Sequence, residues 1–100
     1  MLFRSLQKVR PAVVISSDHV GRLPVKLVAP ITGWKEPFAR NVWHVRLEPD
    51  ETNGLDKVSA VDALQMRSVA IERFEARIGS VSEATLADIT AAVAAVIEHE

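Results

Sequence analysis

Lys8-Val9-Arg10-Pro11-Ala12-Val13-Val14-Ile15-Ser16 is answered by Val25-Lys26-Leu27-Val28-Ala29-Pro30-Ile31-Thr32. The two runs are rich in β-branched residues, and a polar loop from Ser17 to Pro24 separates them. They read as an antiparallel pair. In such a pair the start of the first strand lies beside the end of the second. The register that sets Val13 against Ala29 and Ile15 against Leu27 also sets Arg10 against Thr32. Side chains alternate along a strand. Val13, Ile15, Leu27 and Ala29 therefore form the face to be buried. Arg10, Ala12, Val14 and Ser16 share the opposite face with Thr32, Pro30, Val28 and Lys26. A guanidinium and a hydroxyl meet at one end of that face, and this corner is the candidate site. Pro11 suits the first position of a strand and keeps Arg10 extended. Pro30 has no N–H, which expects a bulge or an edge in the second strand.

Outward from this pair, residues 1–9 hold Leu2, Phe3 and Leu6 without a clear period, as in a strand fragment or an arm. Gly33 to Pro37 reads as a loop. Asn41 to Glu48 alternates, with Trp43, Val45 and Leu47 on one face and His44, Arg46 and Glu48 on the other, which is a strand signal. Asn53-Gly54 is a hairpin turn signal that returns the chain into a strand within Lys57 to Val69. Ile71 to Ile78 expects a short helix closed by Gly79. Ser82 has the chemistry of an N-cap, with Glu83 in the first turn. Leu86, Ile89, Val93, Val96 and Ile97 then form a stripe at helical spacing, so a helix is expected over about 82–98. The fold class is β-rich α+β: a small, mostly antiparallel sheet or barrel with a C-terminal helix laid on it.

One hundred residues make a single domain, 1–100. The absence of cysteine excludes disulfides and thiolate metal sites. No apolar run approaches the ~20 residues of a membrane helix. Met1 to Lys8 lacks the apolar core of a signal peptide, so a cytoplasmic protein is expected. The net charge of −1 hides a split: residues 1–46 carry eight basic and two acidic groups, residues 47–100 four basic and eleven acidic. A basic first half suits phosphates; equally, the split could only solvate two faces. His19, His44 and His99 have no metal-ligand spacing, so neither metal nor cofactor is expected. There is no glycine-rich phosphate loop and no G-x-S-x-G elbow. His44 reads chiefly as a solvated strand residue, with acid/base work as the alternative. Arg10 offers a planar fork that matches phosphate oxygens, and Thr32 a hydroxyl for the same group. The bland alternative is an arginine solvating an edge and a Thr-Gly turn. The unpartnered apolar face Ala12, Val14, Val28 and Pro30, and the helix stripe, expect a homodimer.

The order of motifs resembles the MazF/PemK-like toxins, the endoribonucleases of toxin–antitoxin pairs. The matching residues are Arg10-Pro11 leading into Ala12-Val13-Val14-Ile15, then Val28-Ala29-Pro30-Ile31-Thr32, His44-Val45 and Asn53-Gly54-Leu55. Gln65-Met66-Arg67-Ser68-Val69, Arg73-Phe74 through Ile78-Gly79 and Val81-Ser82-Glu83 complete the set. The resemblance spans about residues 8–98. It implies an SH3-like barrel, usually a homodimer, that cuts single-stranded RNA without metal and is held by a cognate antitoxin. It implies Arg10 and Thr32 as the catalytic pair; the basic face, with Lys8, Lys35 and Arg40, and Gly33 beside Thr32 are expected along the RNA path. Family members begin with a further strand and a Gly-rich loop. Only nine residues precede Arg10 here, so that strand and most of the loop are expected to be missing. Two rival readings follow: an inactive truncated member kept as a protein-binding partner, and a CcdB-like toxin that binds gyrase. The usual Asp before Gln65 is Leu64, and Asp62 is hard to place in a buried strand.

Overall fold

The computed structural model describes residues 2–5, 11–16 and 24–97. Its strands are β1 (Leu2–Ser5), β2 (Pro11–Val14), β3 (Val25–Gly33), β4 (His44–Leu47), β5 (Ser59–Asp62), β6 (Arg67–Ala70) and β7 (Phe74–Gly79), followed by the helix α1 (Glu83–Ile97). The sheet runs β4-β5-β3-β2-β1-β7, with β6 also on β3, and each of these pairings is antiparallel.

The β2–β3 register is the one the sequence expects: Ala12 against Pro30, Val13 against Ala29, Val14 against Val28. The pairing continues through Ile15, whose N–H donates to the Leu27 carbonyl at 2.9 Å. Val13 and Ala29 are fully buried, but Leu27 is 37% exposed and Ile31 takes its place in the core. The core lies toward β5, because α1 packs over β4 and the turn at Ala63–Gln65, away from the Leu27 end of β3. Val28 is buried too, so the face expected to be free is partly covered within one chain.

Pro30 sits where β3 changes partner. On the edge away from β2, β3 pairs with β6 at Val25–Val28 and with β5 at Ile31–Gly33. In an antiparallel strand the N–H and C=O of one residue point the same way, and neighbouring residues alternate. Leu27 points toward β2, so the nitrogen of Pro30 points to the far edge, into the gap between β6 and β5. No ladder hydrogen bond is lost there.

Leu2–Ser5, without a clear period in the sequence, pairs with β2 on one side and β7 on the other. The short helix expected near 71–78 is corrected to a 3-10 turn, Ile71–Arg73, and the strand β7. Ile71, Phe74 and Ile78 fit helical spacing, yet Phe74, Ala76 and Ile78 equally fit a period of two. The open edge of β1 selects the strand. Gly79 is no helix cap: a Cβ there would lie 2.3 Å from the Thr52 carbonyl oxygen, so it permits a close backbone approach.

The single strand expected within Lys57–Val69 is divided. Asp62 ends β5 by accepting the Leu64 N–H on its own carboxylate, and a 3-10 turn, Ala63–Gln65, separates β5 from β6. Asn53-Gly54 is not a two-residue hairpin turn but lies within a longer β4–β5 connection. The carboxylate of Asp50 accepts from the Thr52 and Asn53 N–H groups, both at 2.8 Å, and from the Thr52 hydroxyl. The buried Asn53 side chain accepts from the Leu55 N–H and donates to the Glu48 carbonyl. Gly54 follows with φ +67°, a backbone that glycine adopts freely.

The N-cap of α1 is as expected: Ser82 Oγ accepts the Thr85 N–H at 3.1 Å. The buried stripe is narrower than expected, since Ile89 and Ala92 are buried while Leu86 and Ile97 are exposed. Ile89 closes a core with Val13, Ala29, Ile31, Leu47 and Val61. Among the described residues no helix is long and apolar enough to cross a membrane.

Candidate active site

The site is on the outer face of β3, β5 and β4. The registers set Thr32 against Ala60 and Ala60 against Arg46, then Asp62 against His44. Cross-strand partners share a face, as do residues two apart. Thr32, Ala60, Arg46, Asp62 and His44 therefore all project from the side opposite Ile31, Val61 and Val45. Ala60, fully buried, has only a methyl group between the threonine and the arginine. A cleft of about 320 Å³ opens on the same face. Thr32 and Pro30 line it from β3, His44 and Asp62 from the other two strands, and Phe38 and Gln65 at its rim.

Phe38 belongs to a 3-10 turn, Glu36–Arg40, in the stretch following Gly33 that the sequence reads as a loop. Pro37 in its first turn lacks an N–H that would have no partner there in any case. The turn lays Phe38 on the His44 ring, with centroids 3.9 Å apart and planes within 13°. Trp34 meets the edge of Phe38 at 5.8 Å, and the Arg46 guanidinium lies 5.3 Å from the Trp34 ring. Arg46, Trp34, Phe38 and His44 thus form a chain of contacts, of which Phe38 and His44 line the cleft. Arg46 also approaches Glu48 at 3.5 Å, an exposed pair that solvent screens.

His44 corrects the sequence reading. Its side chain is 7% exposed, not solvated. Nδ1 lies 3.1 Å from the Asn41 amide and Nε2 3.7 Å from Asp62 Oδ2. Asp62, which the sequence could not place, is itself buried. Its Oδ1 accepts the Leu64 N–H at 3.1 Å and its Oδ2 the Gln65 Nε2–H at 2.8 Å. The signal for this was present: an aspartate before a short polar-apolar break tends to bond the backbone two residues on.

Of the expected site residues that the structure describes, Thr32 lines the cleft and Gly33, Lys35 and Arg40 do not. Arg10 and Lys8 lie outside the described residues. Thr32 is exposed on the outer face, and Gly33 ends β3 beneath the Lys57 side chain. Lys35 and Arg40 are exposed at the two ends of the 36–40 turn. Sequence reasoning missed Asp62, Phe38, Trp34 and Arg46, because the turn at 36–40 and the β4–β5 register that bring them to His44 are not written in any one local pattern. Among the described residues no group of three or more His, Cys, Asp or Glu could hold a metal ion.

Comparison with known proteins decides the family. Residues 4–97 match the model of the PemK-like, MazF-like toxin of type II toxin–antitoxin systems. The chain belongs to the PemK/MazF-like toxin family. No curated protein sequence matches it. Solved structures of PemK/MazF-like proteins share its fold. The Mycobacterium tuberculosis toxin MazF-mt6 is 21% identical with a TM-score of 0.82, over 99% of this chain and 97% of that one. An endoribonuclease from a mycobacterial species, in complex with its cognate antitoxin, is 16% identical with a TM-score of 0.80, over 96% and 89%. The Deinococcus radiodurans MazE–MazF structure gives 21% identity and a TM-score of 0.72, over 96% and 90%.

Proposed function

We propose that this PemK/MazF-like chain is the toxin of a toxin–antitoxin pair and cuts single-stranded RNA at selected sequences without metal. The observation that carries the reading is the outer-face cleft, which Thr32, His44 and Asp62 line, with Arg46 projecting from the same face of the sheet. A hydroxyl beside an open space of that size suits one phosphodiester oxygen. The reading is supported by the pairing of residues 12–14 with 28–30, the register from which the sequence expects Arg10 opposite Thr32. In the reaction the RNA 2′-oxygen attacks the adjacent phosphorus and displaces the 5′-oxygen, leaving a 2′,3′-cyclic phosphate and a 5′-hydroxyl. Arg10 neutralises the charge that builds on the phosphorane oxygens, and Thr32 holds one of those oxygens. Lys8, Gly33, Lys35 and Arg40 guide the strand, with Trp34 and Phe38 offering flanking aromatic surface. A homodimer, a cognate antitoxin partner and a cytoplasmic location complete the proposal; exposed Leu86 and Ile97 on α1 give an apolar surface for such contacts.

The test is cleavage of a single-stranded RNA oligonucleotide in excess EDTA. Cutting is expected to persist and to yield a 2′,3′-cyclic phosphate end. Arg10→Ala lowers the rate by ~10²–10³, as removal of one charge-stabilising donor does, without lowering the melting temperature. Thr32→Val, which keeps the shape, has a smaller effect confined to the rate. Activity lost in EDTA and restored by a divalent ion, or full activity in Arg10→Ala, overturns the reading.

A further inference from the structure

The reaction proposed above needs a group to remove the 2′-hydroxyl proton. A guanidinium is a poor candidate, because it keeps its proton throughout the range in which proteins fold and work. We infer that His44 is the general base of this cleavage and that Asp62 and Asn41 are its positioning residues; the inference rests on the endoribonuclease reading of the same cleft.

Four observations converge on the ring. His44 and Asp62 line the cleft that Thr32 lines. Phe38 fixes the plane of the imidazole by stacking at 3.9 Å. The Asn41 amide, 3.1 Å from Nδ1, fixes its rotation. The atom facing Nδ1 is the amide nitrogen, Asn41 Nδ2; a half-turn of the amide, which leaves its shape unchanged, brings Oδ1 to Nδ1–H and leaves the lone pair on Nε2. Nε2 in turn stands 3.7 Å from Asp62 Oδ2. That is beyond hydrogen-bond length, so the nitrogen is not committed to the carboxylate, yet it is close enough for the carboxylate to act as counter-ion to an imidazolium. The carboxylate cannot swing away, because Leu64 and Gln65 each hold one of its oxygens. With side chains only 7% and 10% exposed, the attraction is screened far less than at the surface.

The step balances as follows. Nε2 takes the proton of the 2′-hydroxyl while the O2′–P bond forms. The P–O5′ bond breaks, and the leaving 5′-oxygen takes a proton from water. The imidazolium later returns its proton to solvent, and no electrons are exchanged with another species. The charged groups around the ring are Asp62 from β5 and Arg46, two residues along the same face of β4. Phe38 and Asn41 before β4, and Gln65 after β5, meet the pair without charge.

The experiment is the pH profile of kcat/KM for single-stranded RNA over roughly pH 5–9, the range in which histidine titrates. Wild-type protein is expected to lose rate on the acid side as His44 is protonated. His44→Gln, which can still bond Asn41, is expected to be ~10²–10⁴ slower, the usual contribution of a positioned base, and to lose the acid limb while still binding RNA. Asp62→Asn is expected to shift that limb, with a smaller loss. His44→Gly is expected to regain rate with added imidazole. Where a variant fails to fold, the wild-type acid limb must still coincide with the NMR titration of the His44 ring. An active wild type with no such coincidence, or an equally fast His44→Gln with an unchanged profile, overturns the role of His44 alone. A wild type that cuts no RNA overturns the endoribonuclease reading, and this inference with it.

Discussion

The two faces of β3, β5 and β4 are built from alternate residues of the same three strands, yet they solve opposite problems. On the inner face Ile31, Val61 and Leu47 belong to one apolar cluster that α1 seals with Ile89. On the outer face Asp62 and His44 are nearly as enclosed, but the polar side-chain atoms of these two have been given neighbours. The inner face derives its stability from area removed from water and close packing. The outer face gains little from burial, because two ionisable groups lose solvent there, and it keeps its shape through hydrogen bonds and one stacked ring. A face that is costly to build and open at one side suits a site; a face that is dry and closed suits a scaffold.

Substitutions on the two faces put that contrast to the test. The largest effect is expected on the inner face. Ile89→Ala removes a fully buried side chain and should lower unfolding free energy by about 2–5 kcal/mol, read from the denaturant midpoint at unchanged slope. On the outer face, Phe38→Ala should cost less, about 1–2 kcal/mol, since it forfeits one stacking contact and a half-buried ring. It should also free the His44 ring, visible as rotational averaging in its NMR signals. Equal losses in the two variants would remove the distinction between scaffold and site.

The smallest effect lies beyond both faces, in the β4–β5 connection. Backbone N–H donors from Thr52, then Asn53, and the Thr52 hydroxyl hold the Asp50 carboxyl below its ordinary value of 3.8. Because the folded-state pKa is the lower one, this stabilisation is fully present above 3.8 and is lost as pH falls through the folded value. A carboxyl titration by NMR is expected to place the Asp50 midpoint below 3.8, with the loop loosening only at still lower pH. A midpoint at or above 3.8 would mean that the loop does not hold the carboxylate as described.

The β2–β3 register, the alternation of residues 43–47 and the Ser82 cap were legible in the sequence because each is a local rule: a period of two, or one side chain meeting a backbone group three residues on. Periodicity failed at 71–78, where Ile71, Phe74 and Ile78 satisfy both a helix and a strand. It failed again at Asp62, whose carboxylate interrupts what composition read as one long strand. In both cases the deciding partner is remote in sequence. β1 supplies the edge on which β7 pairs.

By itself, then, the sequence determined which residues could alternate, where the helix begins, that cysteine chemistry is excluded, and which family pattern the motifs follow. Only the tertiary structure decided that His44 is enclosed and not solvated, that Asp62 faces it, and that Thr32 and Arg46 flank one small residue. Alternation assigns a residue to one of two faces, but it does not say what covers that face. Cover comes from Phe38 on a turn and from the β5 carboxylate across the ladder. The cost of enclosing a polar group is met only when such neighbours arrive together, and their arrival is a property of the whole fold.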